Sequence, residues 1–488
     1  LTAVPHVAPA PWTGQWVTDR LGLGLTGSPA LPELIGLALR ANNPKRAHLL
    51  VSQVLGKHIP QRPAVVHRVG VELGQRVREL LGQDDAGRAV VLGYAETATA
   101  LGHSVADGLD APYLHSTRRP VAGVTPVGGF EEEHSHATSH LLLPEHPAFL
   151  AGDGPLVLVD DEFSTGTTVL NTIRALHADH PRSRYVVVAL VDLRTDADRD
   201  RLAEAAAELG ARVDLVATAV GGVELPADLL PRAQALIAAA EPSPLLSDSV
   251  LSDSGVPNSG SVLSGSALPG SPPSGPALSG SALPGSPPSG PALPGSAPVV
   301  RVEPDWPEDL PDGGRHGFTR AHRQVLEALL PELAADLAPV VSGRNRVLVL
   351  GFEELMYVPL RLAGALAELL EREPGRETVG AAEPRVRFST TTRSPVLAVD
   401  DPGYPIRTRL AFPAHDAPAD GSAERFAYNV APGADPDRRF DAIVLVVDGP
   451  ADTPALHEGE RALIQQLRRV TDQVVLVVLP SYRPRTPR

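Results

Sequence analysis

The stretch Leu156-Val-Leu-Val-Asp-Asp-Glu-Phe-Ser-Thr-Gly-Thr-Thr168 gathers the side chains of this chain best suited to chemistry. Four apolar residues suit a buried strand, and two adjacent acids close it. A short hydroxyl-rich loop follows, then a run whose Val169, Leu170, Ile173 and Leu176 share one helical face. Asp160 and Asp161 can accept hydrogen bonds from the paired hydroxyls of a sugar. Ser164, Thr165, Gly166, Thr167 and Thr168 offer backbone N–H groups and hydroxyls at a helix start, where the helix dipole favours an anion. Gly166 lets the backbone approach that anion without a Cβ clash. Together these residues suit a phosphorylated pentose. A bare strand–turn–helix needs one N-cap residue and leaves the acid pair unexplained.

A scaffold must hold these groups. From Ala89 onward, short apolar runs (Ala89–Leu92, Leu156–Val159, Tyr185–Val191, Val213–Thr218) alternate with helical patterns such as Asp196–Leu209 and Ala227–Ala240. This alternation predicts an α/β fold with a buried parallel sheet, whose ligands sit at the carboxyl ends of the strands. Gly93 and Asp160 both fall at such ends. From about Glu241 the chain turns Ser/Pro/Gly/Ala/Leu-rich, and Gly265–Leu278 returns as Gly280–Leu293. Proline and glycine at this density sustain neither helix nor ladder. The expected division is therefore 1–240, a disordered linker over 241–299, and a second α/β unit over 300–488.

The pattern Leu156–Thr168 resembles the signature with which type I phosphoribosyltransferases bind phosphoribosyl pyrophosphate (PRPP). Other segments resemble further parts of that family. Gly93-Tyr94-Ala95-Glu96-Thr97-Ala98 is similar to its pyrophosphate-binding loop, although alone it also reads as a plain turn between strand and helix. Thr117-Arg118-Arg119 is similar to the start of its mobile catalytic loop, and an arginine fork suits a diphosphate. Pro120–His140, with its glycines, Glu131 to Glu133 and three histidines, reads as a polar lid. Asn42–Arg46 and Val51–Pro60 resemble orotate phosphoribosyltransferase-like proteins of tellurium-resistance gene neighbourhoods. There Lys57 or His58 faces the acceptor or a phosphate, or else lies on the surface.

The resemblance implies that a nitrogen of a nucleobase-like acceptor attacks C1 of PRPP and pyrophosphate leaves. Mg2+ is then chelated mainly by PRPP, with Asp160 and Asp161 holding the ribose and, through water, the metal. Arg118 and Arg119 assist the departing diphosphate. The alternative is a non-catalytic regulator that senses PRPP or nucleotides. A homodimer is one assembly the family implies.

The second unit reads as a diverged repeat of the first. Val91–Glu96 parallels Val349–Glu354, His115–Val121 parallels Thr390–Val396, and Leu158–Asp161 parallels Val446–Gly449. In this alignment Asp161 becomes Gly449 and Gly166 becomes Pro454, so a second PRPP site is not expected. Thr392-Arg-Ser-Pro395 matches the tetrapeptide that names the TRSP domain. Arg315, His316 and Arg393 are candidates for an anionic group or for simple turn chemistry.

Composition narrows the remaining classes. A formal net charge of −15 disfavours a general nucleic-acid binder. The absence of cysteine removes disulfides, thiolate nucleophiles and zinc–thiolate sites. No run reaches the length of a membrane span, and Leu1–Arg20 shows no basic segment followed by an apolar one. The expected location is cytoplasmic, with small-molecule partners and no membrane.

Overall fold

The computed structural model describes residues 11–41, 46–131, 139–240, 297–372, 385–416 and 423–484. All but the last three residues of the expected linker lie outside them. The first half contains β1 (Gly24–Gly27), β2 (Ile35–Leu39), β3 (His48–Ser52), β4 (Val90–Gly93), β5 (Tyr113–His115), β6 (Gly128–Glu131), β7 (Ser139–Leu142), β8 (Leu156–Phe163), β9 (Arg184–Asp192) and β10 (Arg212–Glu224). Six of these form a sheet in the order β1-β10-β9-β8-β4-β5, parallel except for β1. β2 pairs with β3, and β6 with β7, as antiparallel hairpins.

The second half contains β11 (Val299–Val302), β12 (Val347–Gly351), β13 (Val386–Thr390), β14 (Arg409–Pro413), β15 (Glu424–Tyr428), β16 (Ala442–Asp448) and β17 (Gln473–Leu479). Its all-parallel sheet runs β11-β17-β16-β12-β13, and β14 pairs with β15 as a hairpin. The stretch β9-β8-β4-β5 of the first sheet and β17-β16-β12-β13 of the second thus share one strand order. The registers agree as well: Gly93 lies opposite His115, and Gly351 opposite Thr390.

Alternate residues of each strand face opposite sides of a sheet. Val91, Val157 and Val186 of the first sheet and Val347, Val349 and Val444 of the second enter one shared hydrophobic cluster. Leu92, Leu158 and Val187 face a cluster private to the first half, and Leu348, Leu350 and Leu445 one private to the second. Between the sheets, helix Tyr357–Glu371 packs on helices Pro63–Arg88 and Thr99–Leu109.

The halves also cap each other's sheet edges. Phe318, just ahead of helix Arg320–Leu337, exchanges two backbone hydrogen bonds with Tyr113 of β5. Gln61, just ahead of helix Pro63–Arg88, does the same with Phe388 of β13. Edge strands left bare invite unwanted pairing, and each half covers the other's.

Two sequence expectations change here. The stretch Pro120–His140, read as a polar lid without strands, contains β6 and the first half of β7, paired as a hairpin on which Phe130 and His140 stack with ring centroids 4.8 Å apart. Its tip, with Glu132, Glu133, His134 and His136, lies outside the described residues. In the second half, Leu92 pairs with Leu158 while its counterpart Leu350 pairs with Leu445. Asp448 therefore takes the place of Asp161, one step from the position that sequence alignment gives it.

Candidate functional site

β8 does not end at Val159, as its apolar run suggests. Asp160, Glu162 and Phe163 continue to pair with Ala189, Val191 and Asp192 of β9, so the strand carries both acids. Only Ser164, Thr165 and Gly166 separate it from helix Thr167–Asp179. Gly166 is the N-cap with φ +80°, in the left-handed region that glycine enters without steric cost. A Cβ there would stand 3.2 Å from the Phe163 ring. That ring is itself held under the Arg194 guanidinium at 4.2 Å, which Asp192 grips through both oxygens. The loop is thus fixed from below. Ser164, Thr165, Gly166, Thr167 and Thr168 are all half-buried, and the Thr165 and Thr167 hydroxyls lie 3.2 Å apart.

Asp160 and Asp161 are also half-buried, and the Asp161 N–H donates to Asp160 Oδ1 at 2.9 Å. Burial and the neighbouring Glu162 push the Asp161 carboxyl above its ordinary value, while the charge of Lys57 opposes them. Lys57 is buried, and its Nζ donates to Thr97 Oγ1. One ammonium therefore holds the loop after β4 by a hydrogen bond while its charge acts on Asp161. The adjacent His58 turns away, with its ring 5.5 Å from that of Tyr428. Burial, with Lys57 beside it, keeps His58 well below the usual histidine pKa, so it is neutral at pH 7.

The loop Tyr94–Ala98 is held from several sides. The Tyr94 N–H donates to Val159 O and the Ala95 N–H to Ser116 Oγ, and the Ala95–Glu96 peptide is cis. The Tyr94 ring enters the private core of the first half, 5.4 Å from Phe130. Tyr94 and Ala95 therefore shape the loop, and the polar side chains of Glu96 and the half-buried Thr97 carry its chemistry. Glu96 is buried, and its Oε1 has no hydrogen-bond partner among the described residues.

Arg119 turns its guanidinium toward the second half, whereas Arg118 meets that half with its backbone N–H and keeps its Nη2 3.4 Å from His140 Nε2. Arg119 Nη1 lies 3.2 Å from Asp448 Oδ2, and the Arg118 N–H donates to Glu354 Oε1 at 3.1 Å. Arg315 donates to the same Glu354 carboxylate at 3.2 and 3.3 Å, and His316 Nδ1 lies 2.8 Å from Leu143 O. The anion that Arg315 meets is thus a carboxylate of this chain. Sequence reasoning gave no role to Glu162, which accepts from Arg46 Nη2 at 2.8 Å. The signal was present, since Glu162 directly follows the acid pair and Arg46 closes a basic segment.

Residues 34–222 match the phosphoribosyl transferase family model, and residues 312–467 match the TRSP domain, described as C-terminal to that transferase. A phosphoribosyl transferase model thus matches most of the first half of the chain and a TRSP model most of the second. Similar solved structures include adenine phosphoribosyl transferase from Trypanosoma brucei, at 15% identity and TM-score 0.29, covering 38% of this chain and 76% of that one. Another is the adenine enzyme of Giardia lamblia, at 18% identity and TM-score 0.28, covering 38% and 93%. The orotate enzyme of Aeropyrum pernix follows at 21% identity and TM-score 0.24, covering 38% and 88%. No curated protein matches the chain. Among the described residues, no helix is long and apolar enough to cross a membrane.

Proposed function

We propose that the first half binds PRPP between β8 and the loop after β4 and transfers its phosphoribosyl group to a nitrogen of a nucleobase-like acceptor, releasing pyrophosphate. One observation carries this reading: the buried Lys57 donates to Thr97 of the β4 loop, and its charge also acts on Asp161 of β8. PRPP carries a sugar and a diphosphate side by side, and these two loops offer matching groups at one sheet edge.

Asp160 and Asp161 accept the 2′- and 3′-hydroxyls of the ribose. Ser164 to Thr168 hold the 5′-phosphate at the start of a 13-residue helix. The Glu96 and Thr97 N–H groups meet the diphosphate. Attack at C1 develops positive charge on the sugar ring, so positioning and electrostatics carry the acceleration. Mg2+ is a hard ion that takes oxygen donors; Glu96 Oε1 is a buried oxygen without a hydrogen-bond partner among the described residues, and Asp160 and Asp161 supply carboxylates on β8. When bound, chiefly through PRPP, it would offset the charge of the leaving diphosphate.

We read the second half as a duplicated copy that has lost this site. The Asp448 carboxylate, in the place of Asp161, is committed to Arg119 and to the Ala451 N–H. Glu354 is likewise occupied. The resemblance to the tellurium-resistance subgroup would place the product in a stress-linked nucleotide pathway.

Calorimetric titration of Mg·PRPP tests the site. Asp160→Asn with Asp161→Asn removes two charged acceptors, each worth about 1.5–3 kcal/mol, and is expected to weaken binding by at least about 100-fold. Equal binding by this variant, or none by the wild type, overturns the reading.

A further inference from the structure

The loop proposed to meet the diphosphate has a charge problem. Tyr94, Ala95, Glu96 and Thr97 include no cation and one buried acid. Lys57 supplies one positive charge. After β5, the Arg119 guanidinium engages Asp448 across the interface, while Arg118 gives its backbone N–H to Glu354 and places Nη2 3.4 Å from His140 Nε2.

The second half makes the reverse gesture. Thr392-Arg393-Ser394-Pro395 follows β13 as Thr117-Arg118-Arg119-Pro120 follows β5. The local hydrogen bonds repeat pair by pair. Ser116 N–H donates to Gly93 O, and Thr391 N–H to Gly351 O. Ala95 N–H donates to Ser116 Oγ, and Glu353 N–H to Thr391 Oγ1. Thr117 bridges Leu141 of the β6–β7 hairpin, and Thr392 bridges Phe426 of β14–β15. The result places Arg393 Nε 3.8 Å from Glu96 Oε2, across the interface from its own sheet.

We propose that Arg393, from the TRSP domain, is the cation that positions the diphosphate of PRPP in the first half's site. The two halves thus exchange arginines: Arg119 closes the lost site, and Arg393 completes the retained one. This rests on the PRPP reading given above. The guanidinium is aimed by Glu353, whose Oε2 lies 2.7 Å from Arg393 Nε and whose Oε1 lies 2.9 Å from Arg425 Nε. Asp416 flanks it at 3.5 Å. Its Nε lies at ion-pair distance from Glu96 Oε2, longer than a direct hydrogen bond. A fixed planar fork suits two phosphoryl oxygens better than a mobile ammonium does.

The test is calorimetry on the full chain with Mg·pyrophosphate and, separately, ribose 5-phosphate. Arg393→Gln is expected to weaken pyrophosphate by about tenfold or more, the worth of a charged hydrogen bond, and to leave ribose 5-phosphate within about twofold. Arg393→Lys keeps a charge beside Glu353 and should fall between the two for pyrophosphate. It also decides the matter if Arg393→Gln melts early or loses its near-UV dichroism. Wild-type pyrophosphate affinity in a folded Arg393 variant, with ribose 5-phosphate still lost by Asp160→Asn/Asp161→Asn, overturns the arginine assignment and leaves the PRPP site standing. If the wild type binds neither compound, both readings fall.

Discussion

A chain ending at Ala240 is expected to aggregate or to lose its cooperative melt, although it retains every strand of the first sheet. Its cut surface would not be a solvent-adapted face. Leu101, Tyr113, Val157 and Val186 share one cluster with Phe318, Leu326, Tyr357 and Phe388. Backbone groups would be stranded as well. Tyr113 N–H and C=O pair with Phe318, Gln61 with Phe388, Ala41 N–H with Pro395 O and Trp16 N–H with Gly403 O. Each newly unsatisfied group that stays buried costs about 1–3 kcal/mol. Several of them, with the exposed apolar face added, exceed the 5–15 kcal/mol by which domains are typically stable. Size exclusion and near-UV circular dichroism read the outcome. Residues 1–240 and 297–488 produced together as two chains should copurify and recover the melt. A soluble 1–240 fragment with a sharp transition of its own would show instead that the interface is dispensable.

This interface is where sequence reading ends. The apolar face of helix Tyr357–Glu371 looks the same on paper whether it packs on its own sheet or on helices of the other half. Tertiary pairing settles that, and periodicity carries no partner label. Lys57 and His58 are neighbours with equal claims in sequence, yet one reaches Thr97 and the other packs on Tyr428. Strand alternation separates such neighbours only once the chain path is known. The acid pair was legible because four apolar residues followed by two carboxylates at a parallel strand's end have few structural explanations. The extent of β8 was not, because its last residues pair with β9 whatever their polarity. The place of Asp448 depends on how β16 pairs with β12, about a hundred residues upstream in the chain, and not on its immediate neighbours. The surroundings of the arginine pair were not legible either, since the Arg119 guanidinium meets Asp448 and the Arg118 N–H meets Glu354, both brought in from the opposite half by tertiary packing.

Glu354→Ala is expected to cost about 3–5 kcal/mol of stability, the usual penalty for leaving a buried charge without its partner. The Glu354 carboxylate receives the Thr117 hydroxyl at 2.7 Å, the Arg118 N–H at 3.1 Å and the Arg315 guanidinium at 3.2 Å, on a side chain only 2% exposed. Burial alone would raise its pKa. Arg315, His115, Arg119 and the Thr117 hydroxyl outweigh burial and hold it well below the ordinary carboxylate value of 4.5. His115 is itself neutral at pH 7, since burial pushes it down to about 4, so Arg315 and Arg119 carry most of the effect there. A carboxyl whose folded pKa lies below its unfolded one adds stability that is fully present above the unfolded value. That stability is lost as pH falls from 4.5 toward the folded pKa, at about 1.4 kcal/mol per pH unit. Urea denaturation of wild type and Glu354→Gln at several pH values isolates this term. The gap between them should be constant from pH 7 to about 5 and narrow by about 1 kcal/mol between pH 4.5 and 3.5. A gap that stays level across that range would mean that Glu354 contributes by shape and hydrogen bonding alone. A gap that narrows would show that the charge on this one side chain, shared among Thr117, Arg118 and Arg315, locks the second half onto the first.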